Sequence, residues 1–256
     1  MSAPSNYAII QRRRRWWYDT TTDPLGAGNT KLLADLGVTP RFFYDRRKNV
    51  TSSAGALTAW GDVTGAGTYG AAITPSVGAP AYNGTYISTD GASSQMRMST
   101  GGLDLTQPWT VALVAAPGTT RVSVGVVMCV GSGFSANQFM ACQSNDGGFI
   151  GATANATGAV SAVAPATHTV RLILSTLNVV STGNVTVEVP GTALAASSTG
   201  VALTGTQGVI FGASNAPGAW AQCDYYGLLV WPGGYTAAQR DTLKTWAVTY
   251  HGAVMA

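Results

Sequence analysis

Residues 184–189 read NVTVEV. Val185, Val187 and Val189 alternate with Thr186 and Glu188, so a period of two puts the valines on one face and the polar pair on the other. Upstream, HTVRLILST (168–176) places Val170, Leu172 and Leu174 inward and Arg171 outward, and RVSVGVVMCVG (121–131) places Val122, Val124 and Val126 on one face. RFFYD, LTAWGDV, TYIST, SQMRM, WTVALVAA, QGVIFGA and CDYYGLLVW are further short runs, bounded by Gly, Pro and Asn. Strands at this spacing, with almost no helix between them, predict an all-β, two-sheet antiparallel sandwich rather than βαβ units. The alternation predicts one buried face per sheet.

One helix signal closes the chain, in YTAAQRDTLKTWAVTYHG (235–252). Thr236 and Gln239 have the spacing of a capping box, in which each side chain satisfies an orphan backbone N–H. Leu243, Trp246, Ala247 and Tyr250 form one apolar stripe, and Gly252 suits the stop. A helix over about 236–251 is therefore expected at the sandwich edge. A shorter one is expected at NTKLLADLG (29–37), capped by Asn29 or Thr30, with Leu32, Leu33 and Leu36 on one face.

Composition narrows the function. Charged residues make up only 10% of the chain, against roughly 25% in ordinary globular domains. Glu188 is the single glutamate and Lys31, Lys48 and Lys244 the only lysines. Such a surface suits turns, strands and protein-covered area better than exposed helices. Residues 1–48 hold nine Lys/Arg against four Asp, and residues 49–256 five against seven acids, so the body carries no basic stripe for nucleic acid. No apolar run approaches a membrane span. No apolar stretch follows the early basic residues as in a signal peptide, so synthesis in a reducing cytosol is expected. Cys129, Cys142 and Cys223 lack metal-ligand spacing and read as buried free thiols.

Two domains are expected: an N-terminal docking arm over 1–39 and a sandwich with its closing helix over 40–256. The arm contains QRRRRWWYD (11–19). Arg12, Arg13, Arg14 and Arg15 meet Trp16, Trp17 and Tyr18, and these residue types are enriched in interface hot spots. Guanidinium groups stack on aromatic faces and keep their value when partly desolvated. The segment would be sticky unless occupied, so it reads as a partner-docking site.

The order of features from residue 40 resembles the concanavalin-A-like (laminin-G-like) jelly-roll family. PRFFYDRRKNVTSSAGALTAWGDVTGAG resembles the family's opening, an aromatic-Asp strand leading to a turn with Trp60, Asp62, Thr64 and Gly65. APAYNGTYISTDGASSQMRMST carries Asp90-Gly91 before a short strand, PWTVALVAAP resembles the next core strand, and residues 223–252 resemble the closing strand and helix. The resemblance covers 40–252 and implies a jelly roll of the kind found in phage virion proteins, bacterial surface proteins and lectins. The glycan-cleaving branch uses a pair of acids, and Glu188, followed by Val189-Pro190, has no placed partner.

Other candidates are weaker. His168 and His251 have no nucleophile at motif spacing, and His251 in the last helical turn suits the helix dipole. Asp62, Asp90, Asp104 and Asp146 lie in loops where they could hold calcium, but they read better as acceptors for turn N–H groups. GDVTGAGTYG (61–70) lacks the lysine and helix of a phosphate loop. Trp60, Trp109 and Trp231 read as core, whereas Trp220 and Tyr82 are candidates for a glycan site. The expected function is a non-enzymatic phage virion structural protein, a capsid decoration or head/tail accessory protein. It would have no cofactor, would dock through its arm on other virion proteins, and would form homo-oligomers. Nucleic-acid and membrane partners are not expected. The alternative is a lectin-like module for host-surface glycans, and the third reading is a glycan hydrolase.

Overall fold

The computed structural model describes residues 25–255 except 27, 99, 122–123, 132–137, 146–149, 155–156, 161–168, 180–181, 199–201 and 214–218. Every run expected to be a strand contains one, though LTAWGDV stops at Trp60 and QGVIFGA at Phe211, and the fold is all-β with two flanking helices. The long strands Trp109–Arg121 and Ala221–Pro232 pair antiparallel at the centre of one sheet, with Leu113 opposite Leu228 and Val111 opposite Val230. Phe42–Asp45 adds to one side, and Arg171–Val179, Asn184–Glu188 and Ala195–Ser197 to the other. The facing sheet runs Ile73–Val77, Gln95–Met98, Val209–Phe211, Val124–Val130, Phe139–Asn145, Ile150–Ala154 and Thr157–Val160. Ile87–Asp90 pairs with Gln222–Tyr225 and, through Ala81–Tyr82 and Ala56–Trp60, joins the two sheets along one edge. A two-stranded piece, Leu103–Asp104 with Thr206–Gln207, stands apart.

Alternation fills the space between the sheets. Phe42, Tyr44, Val111, Leu113, Ile173, Val185, Val187, Leu228 and Val230 meet Met96, Met128, Val130, Phe139 and Phe211 there, all buried. Trp60 and Trp109 belong to the same core. Tyr44 donates its phenol hydrogen to the Ala71 carbonyl, and Tyr225 donates to that of Val127 at 2.8 Å, so these two tyrosines are buried with their polar tips satisfied, whereas buried Trp60 Nε1 has no partner among the described residues. Cys129, Cys142 and Cys223 are free and buried, and desolvation pushes the Cys129 thiol up to about 12.

The expectation of one buried face per sheet fails for the sheet that carries Trp109–Arg121. Its other face is also covered: Phe43, Ala112, Val114, Leu172, Leu174, Leu229 and Trp231 pack beneath the helices with Leu32, Leu36, Leu243 and Trp246. Leu172 and Leu174, expected inward, therefore face the helices along with partly buried Val170. Ile173 and Leu177 face the other sheet, and Arg171, expected outward, is partly buried. Continuous apolar runs such as VALVAA and GLLVW are what two-sided burial demands. Val126 joins a small buried cluster with Cys129 and Ile210, while Val127, Met128 and Val130 fill the main core, with register shifts between Val126 and Cys129. Val122 lies outside the described residues.

The two helices are α1 (Asn29–Leu36) and α2 (Ala237–His251). The α2 capping box forms as expected, with Thr236 accepting from the Gln239 N–H and the Gln239 side chain accepting from that of Thr236, and Gly252 ends the helix in the left-handed conformation. The α1 cap differs from expectation. Gly28, at φ 77°, takes the cap position, and Asn29 is wholly buried inside the helix. Asn29 donates to Asp45 Oδ2 and accepts from Trp246 Nε1, each at 3.1 Å, so one amide ties α1 to the sheet and to α2. Residues 29–36, expected within the arm, are thus packed into the body.

Candidate functional site

Two surfaces stand out, both built by the helices against the sheet. The first starts from Glu188. With Val185 and Val187 turned inward, Thr186 and Glu188 face the side on which α2 begins. The turn before α2 carries Tyr235, and the first turn of the helix carries Arg240. Tyr235 Oη donates to Glu188 Oε2 at 2.6 Å, and Arg240 Nη1 donates to Oε1 at 3.3 Å. Burial, and then the carboxylate beside it, push the Tyr235 phenol well above its ordinary pKa. Thr176 and Thr186 share a hydrogen bond of 2.5 Å next to them. With Asn178 and Thr192 these groups line a cleft of about 320 Å³.

This arrangement can bind hydroxyl-rich ligands through fixed donors and acceptors. Glycoside hydrolysis requires two carboxylates roughly 5–9 Å apart, and among the described residues Glu188 is the one acid lining the cleft. Tyr235 and Arg240 were not foreseen in the sequence. The signal was the chain's one glutamate, on the polar face of an alternating strand. Trp220 and Tyr82 do not line this cleft. Trp220 is half-buried just before the strand Ala221–Pro232, and Tyr82 packs against the inter-sheet core and donates to the Arg46 carbonyl at 3.3 Å.

The second surface is a groove of about 590 Å³ between α1 and α2. The helices run antiparallel. At one end Gly28 lies under Tyr250, where an added Cβ would meet the ring at 2.2 Å, and at the other Gln239 Nε2 donates to the Leu36 carbonyl at 2.9 Å. Leu32 and Trp246 form the floor, with Lys31, Asp35, Asp241 and Thr245 along the walls. Below the Gly28 end, buried Asp45 receives Arg47 Nε at 3.0 Å and Nη2 at 2.7 Å. Burial alone would raise the Asp45 carboxyl, but Arg47 outweighs it and holds the group below the usual carboxylate range. Arg47 also lies over the Tyr250 ring.

His251 overturns the expectation of a helix-dipole role. It is 4% exposed and stands edge-on to Trp246, and neither ring nitrogen has a hydrogen-bond partner among the described residues. Burial lowers its pKa from 6.5 to about 3, and the nearby Arg47 and Arg46 charges add to this against Asp45. A neutral ring carries no charge for the dipole to stabilise. His168 and Asp146 lie outside the described residues.

The loop carboxylates serve their turns. Asp62 accepts from Thr64 Oγ1 and from the N–H groups of Gly67 and Tyr69. Asp90 accepts from the N–H groups of Ala92, Ser93 and Ser94, and these bonds, with those of the two serine hydroxyls, outweigh its burial and depress its pKa. Asp104 accepts from Thr106. Among the described residues no three His, Cys, Asp or Glu side chains gather as a metal site, and no helix is long and apolar enough to cross a membrane. Arg12, Arg13, Arg14, Arg15, Trp16, Trp17 and Tyr18 lie outside the described residues. The chain enters the described body at Leu25, which packs against the apolar cluster under the helices.

No protein-family model matches the sequence, and neither does any curated protein sequence. Among solved structures, the fold is similar to Trypanosoma rangeli sialidase in complex with 2,3-difluorosialic acid (covalent intermediate), with TM-score 0.58 and 10% identity over 83% of this chain and 33% of that one. Trypanosoma rangeli sialidase alone gives 0.56 and 10% over 80% and 32%. The HCR/D F1240A mutant gives 0.51 and 9% over 83% and 52%. This chain thus spans about a third of the sialidase chains. At this identity the likeness concerns the fold: an all-β sandwich, consistent with the concanavalin-A-like jelly-roll type.

Proposed function

We propose that the chain is a non-enzymatic structural protein of a phage virion, whose jelly-roll body is displayed on the particle and whose N-terminal segment docks it on neighbouring subunits. One observation carries this reading. Four arginines and three aromatics stand in a row at Arg12–Tyr18, in a chain where only 10% of residues are charged, and they join a folded body at Leu25. Such a concentration of interface-prone side chains favours docking on protein. Capsid decoration fits a single body without fibre repeats better than a tail role.

The docking segment is best tested as residues 1–24. Removing 1–39 would also remove Asn29, Leu32 and Leu36, all buried in the body. A chain lacking 1–24 should still unfold cooperatively and fail to attach to particles that lack the protein. Normal attachment of the truncated chain would end the docking reading. Attachment should also withstand salt better than phosphate binding, whose affinity falls steeply with ionic strength.

The Glu188 cleft favours a second reading, a lectin-like module for glycans. On a glycan array, binding should then disappear with Arg240→Ala and survive removal of 1–24. Binding lost with Trp220→Ala but kept with Arg240→Ala would move the site to the earlier candidate.

A further inference from the structure

The α1–α2 groove is polarised along its length. Cations gather at its Gly28 end: Lys48 abuts Gly26, where an added Cβ would fall 2.2 Å from the lysine Cε, Arg47 lies over Tyr250 while paired with buried Asp45, and Lys31 lines the wall with its amine on Asp35. Its far end is acidic, with Asp35 and Asp241 exposed at 40% and 64% of their side chains. Between the ends lies the apolar floor of Leu32 and Trp246. The ion pairs at the walls, Lys31–Asp35, Lys244–Asp241 and the longer Arg240–Asp241 at 3.7 Å, are surface pairs and cost little to rearrange.

The N-terminal segment carries the complementary order. Read backwards from Leu25, it presents Asp23 and Asp19, then Tyr18, Trp17 and Trp16, then Arg15 to Arg12. Laid back along the groove, the aspartates meet the basic end, the aromatics the apolar floor and the arginines the acidic end. Reach is ample. Six residues lie between Tyr18 and Leu25, an extended span of up to about 25 Å from one to the other, whereas the eight residues of α1 are about 12 Å long. So short a tether gives an effective concentration on the order of millimolar, well above that of a second copy in dilute solution.

We infer that the α1–α2 groove is an intrachain receptor for Arg12–Tyr18, which seats its tryptophans beside Trp246 and its arginines at Asp35 and Asp241 in the free protein. The inference rests on the reading of this segment as the docking segment. It explains how a run so rich in arginine and tryptophan stays covered before assembly, and it implies that assembly displaces the segment from the groove.

The test is photo-crosslinking of the full chain with p-benzoylphenylalanine in place of Tyr18, followed by peptide mapping of the monomer band. Cross-links should fall within 28–35 and 238–250. They should drop about fivefold with Asp35→Lys and Asp241→Lys together, the effect of losing two exposed ion pairs, and also with Thr245→Trp, which fills the groove from an exposed position. Circular dichroism would confirm that both variants stay folded. Cross-links only between chains, which would mean a second copy as occupant, or cross-links outside the groove would overturn the inference, as would yields unchanged by the variants. The two readings fail separately. Particle attachment that requires residues 1–24, without a groove cross-link, leaves docking standing and removes the receptor. A groove cross-link in a protein whose truncated form still attaches removes docking alone.

Discussion

His251 should make folding stability depend on pH well above the carboxylate range. In the folded chain its imidazole titrates near 3, and in the unfolded chain near 6.5. Between these values the unfolded state binds one proton more than the folded state, so stability rises with pH across the window and is lost as pH falls through it. One proton corresponds to about 1.4 kcal/mol per pH unit. From pH 7.5 to 4.5 the loss is therefore about 3 kcal/mol, a large part of an ordinary folding free energy. The carboxylates act elsewhere. The depressed groups of Asp45, Asp90 and Asp104 contribute stability that is present above about pH 4 and lost below it. Urea unfolding followed by tryptophan fluorescence across this range gives the slope directly. A His168→Gln background leaves His251 as the sole imidazole, since the chain has two histidines. His251→Leu in that background should flatten the slope between about pH 5 and 6 to near zero. An unchanged slope in the leucine variant would refute the argument, whatever its absolute stability.

Two further substitutions probe the same layer of the fold. Gly227→Ala puts a Cβ 2.7 Å from the Trp246 ring and 3.2 Å from His251 Nε2, so overpacking should cost about 1–3 kcal/mol in thermal unfolding. Asn29→Ala leaves the Trp246 indole N–H without its acceptor and Asp45 with one partner fewer, which should cost about 2–3 kcal/mol in urea unfolding.

The strands legible in the sequence were those whose apolar residues alternate or run together. Val50–Ser53 reads VTSS and is largely exposed, so it offers no buried face to detect. Ile73–Val77 contains Pro75, which argues against a strand unless it lies at an edge. The capping box of α2 was legible because it is local, three residues apart. The Glu188 cleft was legible only by half. Its partners Tyr235 and Arg240 lie 47 and 52 residues away, and no local pattern links positions so far apart. Asn29 shows the same limit from the other side. A small polar residue before an apolar run reads as a cap, and only the tertiary contacts of Trp246 and Asp45 turn it into a buried tie.

That tie moves the boundary on which the functional argument turns. Charge and punctuation divided the chain near Pro40 and credited the first 48 residues with most of the positive charge. The fold places α1 in the body instead, held by Asn29 and by buried Leu32 and Leu36. Residues 1–24 then carry four arginines against Asp19 and Asp23, and the remaining residues carry ten Lys/Arg against nine acids. The net charges are then +2 and +1. What distinguishes the segment is order rather than net charge. Its aspartates, aromatics and arginines come in three separate blocks, and a partner that reads them must present basic, apolar and acidic patches in matching sequence. The α1–α2 groove does so within reach of Leu25.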